Sequence, residues 1–251
     1  MFLRTKSIYA IIEKPFPKNC LMLFLSMKYK RTFPFFGRLL FVIFLATMLP
    51  VFLRAADVLP PLTAAYLNSA ATKYGISAKK RLKEWENLLK NAQNRPETEK
   101  LQIVNDFFNR IRYVSDQEHC GVTDYWATPA EMLASNGGDC EDYAIAKYFT
   151  LVALNVDPDK LKITYVKARV NNKTIAHMVL TYYARPNSIP LVLDSLNRQI
   201  KPASQRPDLT PVYAFNGDGL WIIKSRNLGR VGGSSKIRFW REMQNRMGKE
   251  F

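Results

Sequence analysis

The chain has 251 residues, of which 47% are hydrophobic and 12% aromatic. This is enough apolar material for one substantial core, and 11 glycines with 14 prolines are too few for a disordered or collagen-like chain. A mean hydropathy of −0.18 argues against a polytopic membrane protein. The three cysteines, Cys20, Cys120 and Cys140, are too few for a disulfide framework.

The formal net charge of +16 is unevenly distributed along the chain. Residues 1–54 carry nine Lys or Arg and a single acid, Glu13, so the first fifth of the chain holds half of the excess charge. The remaining basic residues form no dense run with interleaved aromatic side chains, the pattern typical of nucleic-acid binding. The composition therefore argues against a nucleic-acid partner.

The N-terminal segment has the pattern of an export signal. Residues 28–31 supply three basic side chains, residues 39–49 are an uncharged apolar run, and residues 55–56 are two alanines that suit cleavage. An apolar run of this length is short for a membrane-spanning helix, which needs about 20 residues, and fits the hydrophobic core of a signal peptide. The sequence therefore predicts export.

We predict a leader over residues 1–56 and a single domain over residues 57–251. Met27 directly precedes the basic segment and is the expected start of translation, because the residues before it have no coherent role. The position three residues before the cleavage point would hold Leu53 or Arg54, which is unfavourable for cleavage. An uncleaved membrane anchor is therefore the alternative to a cleaved signal peptide.

Helical periodicity dominates the first half of the domain. Apolar residues at helical spacing predict helices over residues 77–94 and 97–114, and a polar loop follows as far as residue 127. Thr128, Pro129 and Glu131 then form the pattern of N-cap, first position and capping box that predicts a helix start.

A further helix begins after the glycine pair at 137–138. Asp139 is its expected N-cap, and apolar residues keep helical spacing as far as Asn155. Cys140 is therefore placed on the first turn of a buried helix.

The second half of the domain changes to the periodicity of strands. Residues 161–170 and 174–183 alternate, residues 189–196 form a third apolar run, and a turn at 217–219 predicts a hairpin. Residues 236–249 predict a last, basic amphipathic helix, which we expect to dock on the body of the domain, with binding to another surface as the alternative. Helices first and an antiparallel sheet afterwards give an α+β fold.

Three residues in this arrangement suit nucleophilic catalysis. Cys140 at a helix N-terminus lies at the positive end of the helix dipole, which favours the thiolate. His177 lies within a predicted strand and can serve as base, and Asp194 at the end of the next strand can fix the tautomer of the imidazole. Each residue alone also fits a structural role, as a core thiol, a packed histidine and a turn. The combination in this order is much more specific and predicts a Cys-His-Asp triad.

Three carboxylates surround the predicted nucleophile: Asp139, Glu141 and Asp142. They can cap the helix, but one or two acids suffice for that role. Three hard oxygen ligands within four residues can instead hold Ca²⁺, with backbone carbonyls and water completing the coordination. The sequence favours calcium over simple capping, although no EF-hand loop is present. A zinc site formed by His119, Cys120 and Cys140 is disfavoured, because the chain has no paired cysteine motif and no evident fourth ligand.

Three segments resemble the bacterial transglutaminase-like cysteine proteinases: YWATPAEMLASNGGDCEDYAIAKYFTL, IAHMVLTYY and PLVLDSLN. The resemblance spans about residues 60–230, and GDCEDYAIAKY is its most specific part. It implies a papain/transglutaminase-like fold with Cys140 as nucleophile, His177 as general base and Asp194 as the orienting residue. It also implies calcium dependence, with ligands that match the acidic cluster.

The same resemblance implies a biological role. It implies a periplasmic endopeptidase that cuts a large repeat-type surface adhesin near its N-terminus at a di-alanine site, releasing the adhesin and promoting biofilm dispersal. It further implies an inner-membrane receptor that sequesters the proteinase when cyclic di-GMP is high. The export signal agrees with a periplasmic location.

Two other functions remain compatible with these residues. The same triad can run transamidation or amide hydrolysis, because these reactions share the acyl-enzyme. The domain can also be a non-catalytic binding module stabilised by calcium. Among the neighbouring residues, we expect Cys120 to pack as a small apolar side chain without a disulfide to Cys140, and His119 to be exposed. Trp126 fits the core and the substrate cleft equally well.

Overall fold

The computed structural model describes residues 59–224 and 227–251. The predicted leader at residues 1–56 lies outside the described residues, and so does Cys20. Within the described part of the chain, no helix is long and apolar enough to cross a membrane.

Helices occupy the first half of the described chain, as the periodicity predicts, and two very short strands lie between them. The elements are α1 (Ala64–Tyr74), α2 (Ile76–Ala92), α3 (Glu97–Phe108), β1 (Arg112–Tyr113), α4 (Asp116–His119), α5 (Pro129–Ser135), β2 (Gly137–Gly138) and α6 (Cys140–Ala153). β1 and β2 pair in parallel.

The second half forms an antiparallel sheet and ends in a helix. Its elements are β3 (Leu161–Val170), β4 (Lys173–Tyr182), β5 (Leu191–Leu193), β6 (Lys201–Pro202), β7 (Leu209–Phe215), β8 (Leu220–Lys224), β9 (Asn227–Gly232) and α7 (Arg238–Arg246). The strand order is β6-β5-β4-β3-β7-β8-β9. The prediction of an α+β fold is confirmed.

Helix α6 is the centre of the domain. Most of its side chains are buried, and it packs against β4, β3, α3 and α5. On the sheet, Met178, Leu180 and Tyr182 alternate along β4 and join the main core with α6. Val166 and Val179 lie on the opposite face in a smaller apolar cluster.

The C-terminal helix docks on this core, as the amphipathic pattern predicts. Trp240 and Met243 are fully buried. The ring of Trp240 stacks on Phe149 of α6 with centroids 5.3 Å apart, and it meets Phe215 of β7 edge-on at 5.3 Å.

Trp126 stacks on Phe215 and on Phe239 of α7, with centroids 5.8 and 5.9 Å apart. At 3% exposure it is a core residue, which decides between the two alternatives left open for it.

Several boundaries differ from the prediction. The second predicted helix ends at Phe108 and the chain enters β1, and α1 was not predicted. Thr63 caps α1 by accepting a hydrogen bond from the Tyr66 N–H, and Gly75 at φ 87° separates α1 from α2. The third apolar run forms a strand of only three residues, because the Asp194 carboxylate turns back to accept from the Leu196 N–H at 2.9 Å.

Candidate active site

The segment directly before Cys140 contains a position, Gly138, at which only glycine fits. Helix α5 is capped at its C-terminus by Asn136, which lies in the left-handed region at φ 56°. Gly138 then pairs with Tyr113 in the short parallel ladder. The Asp142 carboxylate reaches back from the first turn of α6 to accept from the Asp139 N–H at 3.1 Å. A Cβ on Gly138 would lie 2.7 Å from Asp142 Oδ2, so only glycine leaves room for this contact.

Cys140 is the first residue of α6, as predicted, and its side chain is partly exposed. Its thiol donates a hydrogen bond to Glu141 Oε2 at 2.9 Å. The helix dipole favours a thiolate at this position, whereas the adjacent carboxylate favours the protonated thiol. The charge on Glu141 therefore opposes activation of the thiol.

His177 and Asp194 are in direct contact. The imidazole Nε2 lies 2.7 Å from Asp194 Oδ1, and both side chains are buried. Since a charged carboxylate only accepts hydrogen bonds, Nε2 carries the proton and Nδ1 remains as the basic nitrogen. This is the relation that a base and its orienting residue require.

Two further donors hold the Asp194 carboxylate. The Leu196 N–H donates to Oδ1 at 2.9 Å, and Arg206 Nη2 donates to Oδ2 at 2.7 Å. Burial alone would raise the pKa of Asp194, but the hydrogen bonds from His177, the Leu196 N–H and Arg206 lower it to about 2. The residue is therefore fully charged at neutral pH.

Of the three predicted triad residues, His177 and Asp194 are in direct contact, whereas Cys140 lies on the helix next to the strand of His177. Cys140 begins the helix that packs against β4, the strand that carries His177. Asp194 directly follows β5, which pairs with one edge of β4, while β3 pairs with the other edge.

The acidic cluster is larger than the sequence predicts. Carboxylate oxygens of Asp116, Asp124 and Glu141 lie within 4.8 Å of one another, and those of Asp116, Asp139 and Asp142 do so as well. Asp142 is partly committed to the fold, because its Oδ1 also accepts from the Ala127 N–H at 2.7 Å.

The cluster fits a divalent cation. Within the described residues, Asp139 Oδ1 is buried without a hydrogen-bond partner. Burial, together with the charges of Glu141 and Asp142, raises the pKa of Asp139 to about 10. Burial and Glu141 also raise the pKa of Asp142. Buried carboxylates that repel one another around a free oxygen are the donor set that a hard cation satisfies.

The predictions for the neighbouring side chains are partly wrong. Cys120 and Cys140 are both free thiols, as expected, but Cys120 is exposed and does not pack as an apolar side chain. It ends the short helix α4, which turns it away from the core. His119 is half-buried rather than exposed, because its ring lies against Gly137.

Comparison with protein families supplies the classification. The model of the bacterial transglutaminase-like cysteine proteinases matches residues 77–209, which include Cys140, His177 and Asp194. The chain belongs to this family. Comparison with curated protein sequences gave no significant match.

Solved structures agree with this membership. LapG of Legionella pneumophila, in an EGTA-treated form, is 42% identical to this proteinase with a TM-score of 0.65, covering 75% of this chain and 99% of LapG. A second LapG structure gives 42% and 0.64 with the same coverage. A calcium-bound LapG gives 43% and 0.62, covering 73% of this chain and 98% of LapG. The proteinase therefore has the transglutaminase-like fold and is LapG-like.

Three residues of the site escaped the sequence analysis. Arg206 is 4% exposed and contacts Asp194, but it follows Asp194 by twelve residues and nothing in its local sequence marks it as buried. Asp116 and Asp124 lie in the segment interpreted as a polar loop. Both are acidic residues in the segment before the predicted cation site, and this was the available signal that they belong to it.

Proposed function

We propose that this proteinase is a calcium-dependent cysteine endopeptidase of the LapG type, with Cys140, His177 and Asp194 as its triad. The observation that carries the proposal is the buried 2.7 Å contact between His177 and a charged Asp194, next to a helix that begins with a cysteine. Membership in a cysteine proteinase family supports the assignment.

The residues divide the chemistry as follows. His177 Nδ1 takes the thiol proton of Cys140, and the sulfur attacks the carbonyl carbon of the scissile peptide bond. The charged Asp194 stabilises the imidazolium that forms, and its contact with Nε2 fixes the ring. The Cys140 N–H at the helix N-terminus stabilises the oxyanion. His177 then protonates the leaving amine, and water hydrolyses the acyl-enzyme.

Asp139 and Glu141 are the proposed calcium ligands from the first turn, with Asp116 and Asp124 from the preceding segment and Asp142 at the edge of the cluster. A bound Ca²⁺ supplies positive charge that offsets these carboxylates. Glu141 also acts directly on the nucleophile, because its carboxylate accepts the hydrogen bond from the Cys140 thiol. One of the similar LapG structures is calcium-bound and another is EGTA-treated, which supports calcium as the cation.

The proposed substrate is a large repeat-type surface adhesin, cut near its N-terminus at a di-alanine site, so that its release promotes biofilm dispersal. The proposed location is the periplasm, reached through the leader at residues 1–56. The proposed inhibitory partner is an inner-membrane receptor for cyclic di-GMP. These assignments rest on the similarity to LapG and on the export pattern of the sequence.

The test is cleavage of the N-terminal fragment of a repeat adhesin from the same genome. The purified protein is incubated with the fragment in Ca²⁺ or in excess chelator, and Cys140→Ala is compared with Cys120→Ala. We expect a single cut that requires Ca²⁺ and Cys140 and survives the loss of the exposed Cys120. Equal cleavage in chelator would exclude the calcium role, and cleavage by Cys140→Ala would exclude the nucleophile. Incorporation of an amine without cleavage would indicate a transamidase.

A further inference from the structure

A buried lysine contacts the main chain of Asp194. Lys147 lies in the middle of α6 with 0% exposure. Its Nζ donates to Asn109 Oδ1 at 2.8 Å, to Asn105 Oδ1 at 2.9 Å and to the backbone carbonyl of Asp194 at 3.2 Å. Three acceptors match the three N–H groups of an ammonium.

The Asp194 carbonyl receives a second hydrogen bond from the same group of residues. Asn109 Nδ2 donates to it at 3.0 Å, and both Asn109 and Asn105 are buried. Asn105 Nδ2 donates to the Arg198 carbonyl at 2.8 Å. Asn105 of α3, Asn109 directly after α3 and Lys147 of α6 therefore hold the main chain that follows β5 at two carbonyls.

This arrangement is costly if it serves only the fold. Burial lowers the pKa of Lys147 to about 7, against the opposing influence of Asp194 and Asp106. An apolar side chain of similar volume would fill the same space without the desolvation of a charge. Unlike an apolar side chain, the ammonium holds the Asp194 carbonyl in a fixed position.

We propose that Lys147 and Asn109 are positioning residues, which clamp the main chain of Asp194 so that its carboxylate meets His177 Nε2. Arg206 and the Leu196 N–H fix the carboxylate, and the clamp fixes the carbonyl of the same residue. The inference rests on the proposed function, because it takes His177 and Asp194 as catalytic. It adds two residues that touch neither the substrate nor the reacting atoms.

The Nε2–H proton of His177 provides a readout that needs no substrate. The chain has two histidines, so ¹⁵N-histidine labelling of the full chain gives two sets of ring signals, with His119 as the internal control. Spectra are recorded at pH 6, below the pKa of Lys147. In the wild type we expect a sharp Nε2–H signal for His177 that exchanges slowly with water, because the proton is buried and bonded to Asp194.

The variant Lys147→Met removes the ammonium and keeps an apolar side chain of similar length. We expect the His177 signal to broaden or vanish, and kcat for cleavage of the adhesin fragment to fall between about 10- and 100-fold with KM unchanged. Thr150→Val is the matched control on the same helix. It breaks the buried hydrogen bond from Trp85 Nε1 to Thr150 Oγ1, 3.0 Å long, without touching Asp194, and should leave both readouts unchanged.

Asn109→Asp covers the case in which Lys147→Met does not fold. The aspartate keeps an acceptor for Lys147 but cannot donate to the Asp194 carbonyl, so the same loss of signal is expected. A wild-type His177 signal in the folded variants would overturn the clamp. If the signal is lost in both variants while the wild type cleaves no adhesin, the clamp stands and the proposed function fails.

Discussion

At the scale of single residues, the surroundings of Asp194 stabilise the ionised form of its carboxyl group. Burial opposes ionisation, and the donors from His177, Leu196 and Arg206 more than compensate, so that the pKa falls to about 2 from an ordinary value of 3.8. A carboxyl group whose pKa is lower in the folded state stabilises the fold above its unfolded pKa. That contribution is lost as the pH falls through the folded pKa.

The acid stability of the protein should therefore depend on Asp194. We expect Asp194→Asn to remove a contribution of about 2 kcal/mol to the free energy of unfolding that the wild type has above pH 4 and loses toward pH 2. Urea unfolding at several pH values between 5 and 2 measures it. Asp218→Asn, at an exposed turn, is the control and should keep the wild-type slope. An identical slope in Asp194→Asn would contradict the assignment.

At the scale of elements, the start of helix α5 shows how a local pattern becomes structure. Thr128 Oγ1 accepts from the Glu131 N–H at 3.1 Å, and Glu131 Oε2 accepts from the Thr128 N–H at 2.9 Å. Both halves of the predicted capping box are present, and Thr128 is fully buried. Thr63 caps α1 at an exposed position through a single bond.

The two caps should differ in their effect on stability. We expect Thr128→Ala to lower the free energy of unfolding by about 1–2 kcal/mol, and Thr63→Ala by less than about 1 kcal/mol. The Thr128→Ala variant loses the bond to its hydroxyl and leaves the Glu131 N–H unsatisfied in a buried place, although the backbone N–H of residue 128 still donates to Glu131. At Thr63 water replaces the lost bond, because that cap is exposed. Chemical denaturation of both variants measures the difference. Equal effects would mean that burial of the cap is irrelevant.

The sequence predicts elements well where the signal is local. The helix starts after Thr128 and Asp139 and the alternation of residues 161–170 and 174–183 are all short-range patterns, and these elements are confirmed. The pairing of Arg206 with Asp194 and the approach of Asp116 to Asp139 depend on how separate segments meet. The buried position of Lys147 cannot be predicted for the same reason. From the local sequence alone, a lysine in an apolar helix is expected to face the solvent.

At the scale of the whole molecule, the acidic cluster links segments that are separate in the chain. Asp116 belongs to α4 and Asp124 to the segment after it, whereas Asp139 and Glu141 begin α6. Asp116 Oδ2 also accepts from the Tyr125 N–H at 2.7 Å, which ties the intervening loop to α4. A cation held here would join these segments in the folded state only.

Calcium should therefore raise the melting temperature. At a Ca²⁺ concentration of 100 times Kd, we expect about 2.7 kcal/mol of stabilisation, or about 5–10 °C for a domain of this size. Asp116→Asn should reduce the shift, and the exposed Asp106→Asn should not. Thermal melts in Ca²⁺ and in chelator measure both, and an unchanged wild-type melting temperature would count against the cation site.

The docking of α7 has a consequence for the order of synthesis. Trp240 covers Phe149 and Phe215, and the ribosome makes its segment after α6 and after the sheet. Until that segment emerges, the central helix and the sheet lack part of their apolar cover, so the nascent chain carries an unfinished core. The domain can therefore complete its folding only after α7 has emerged from the ribosome.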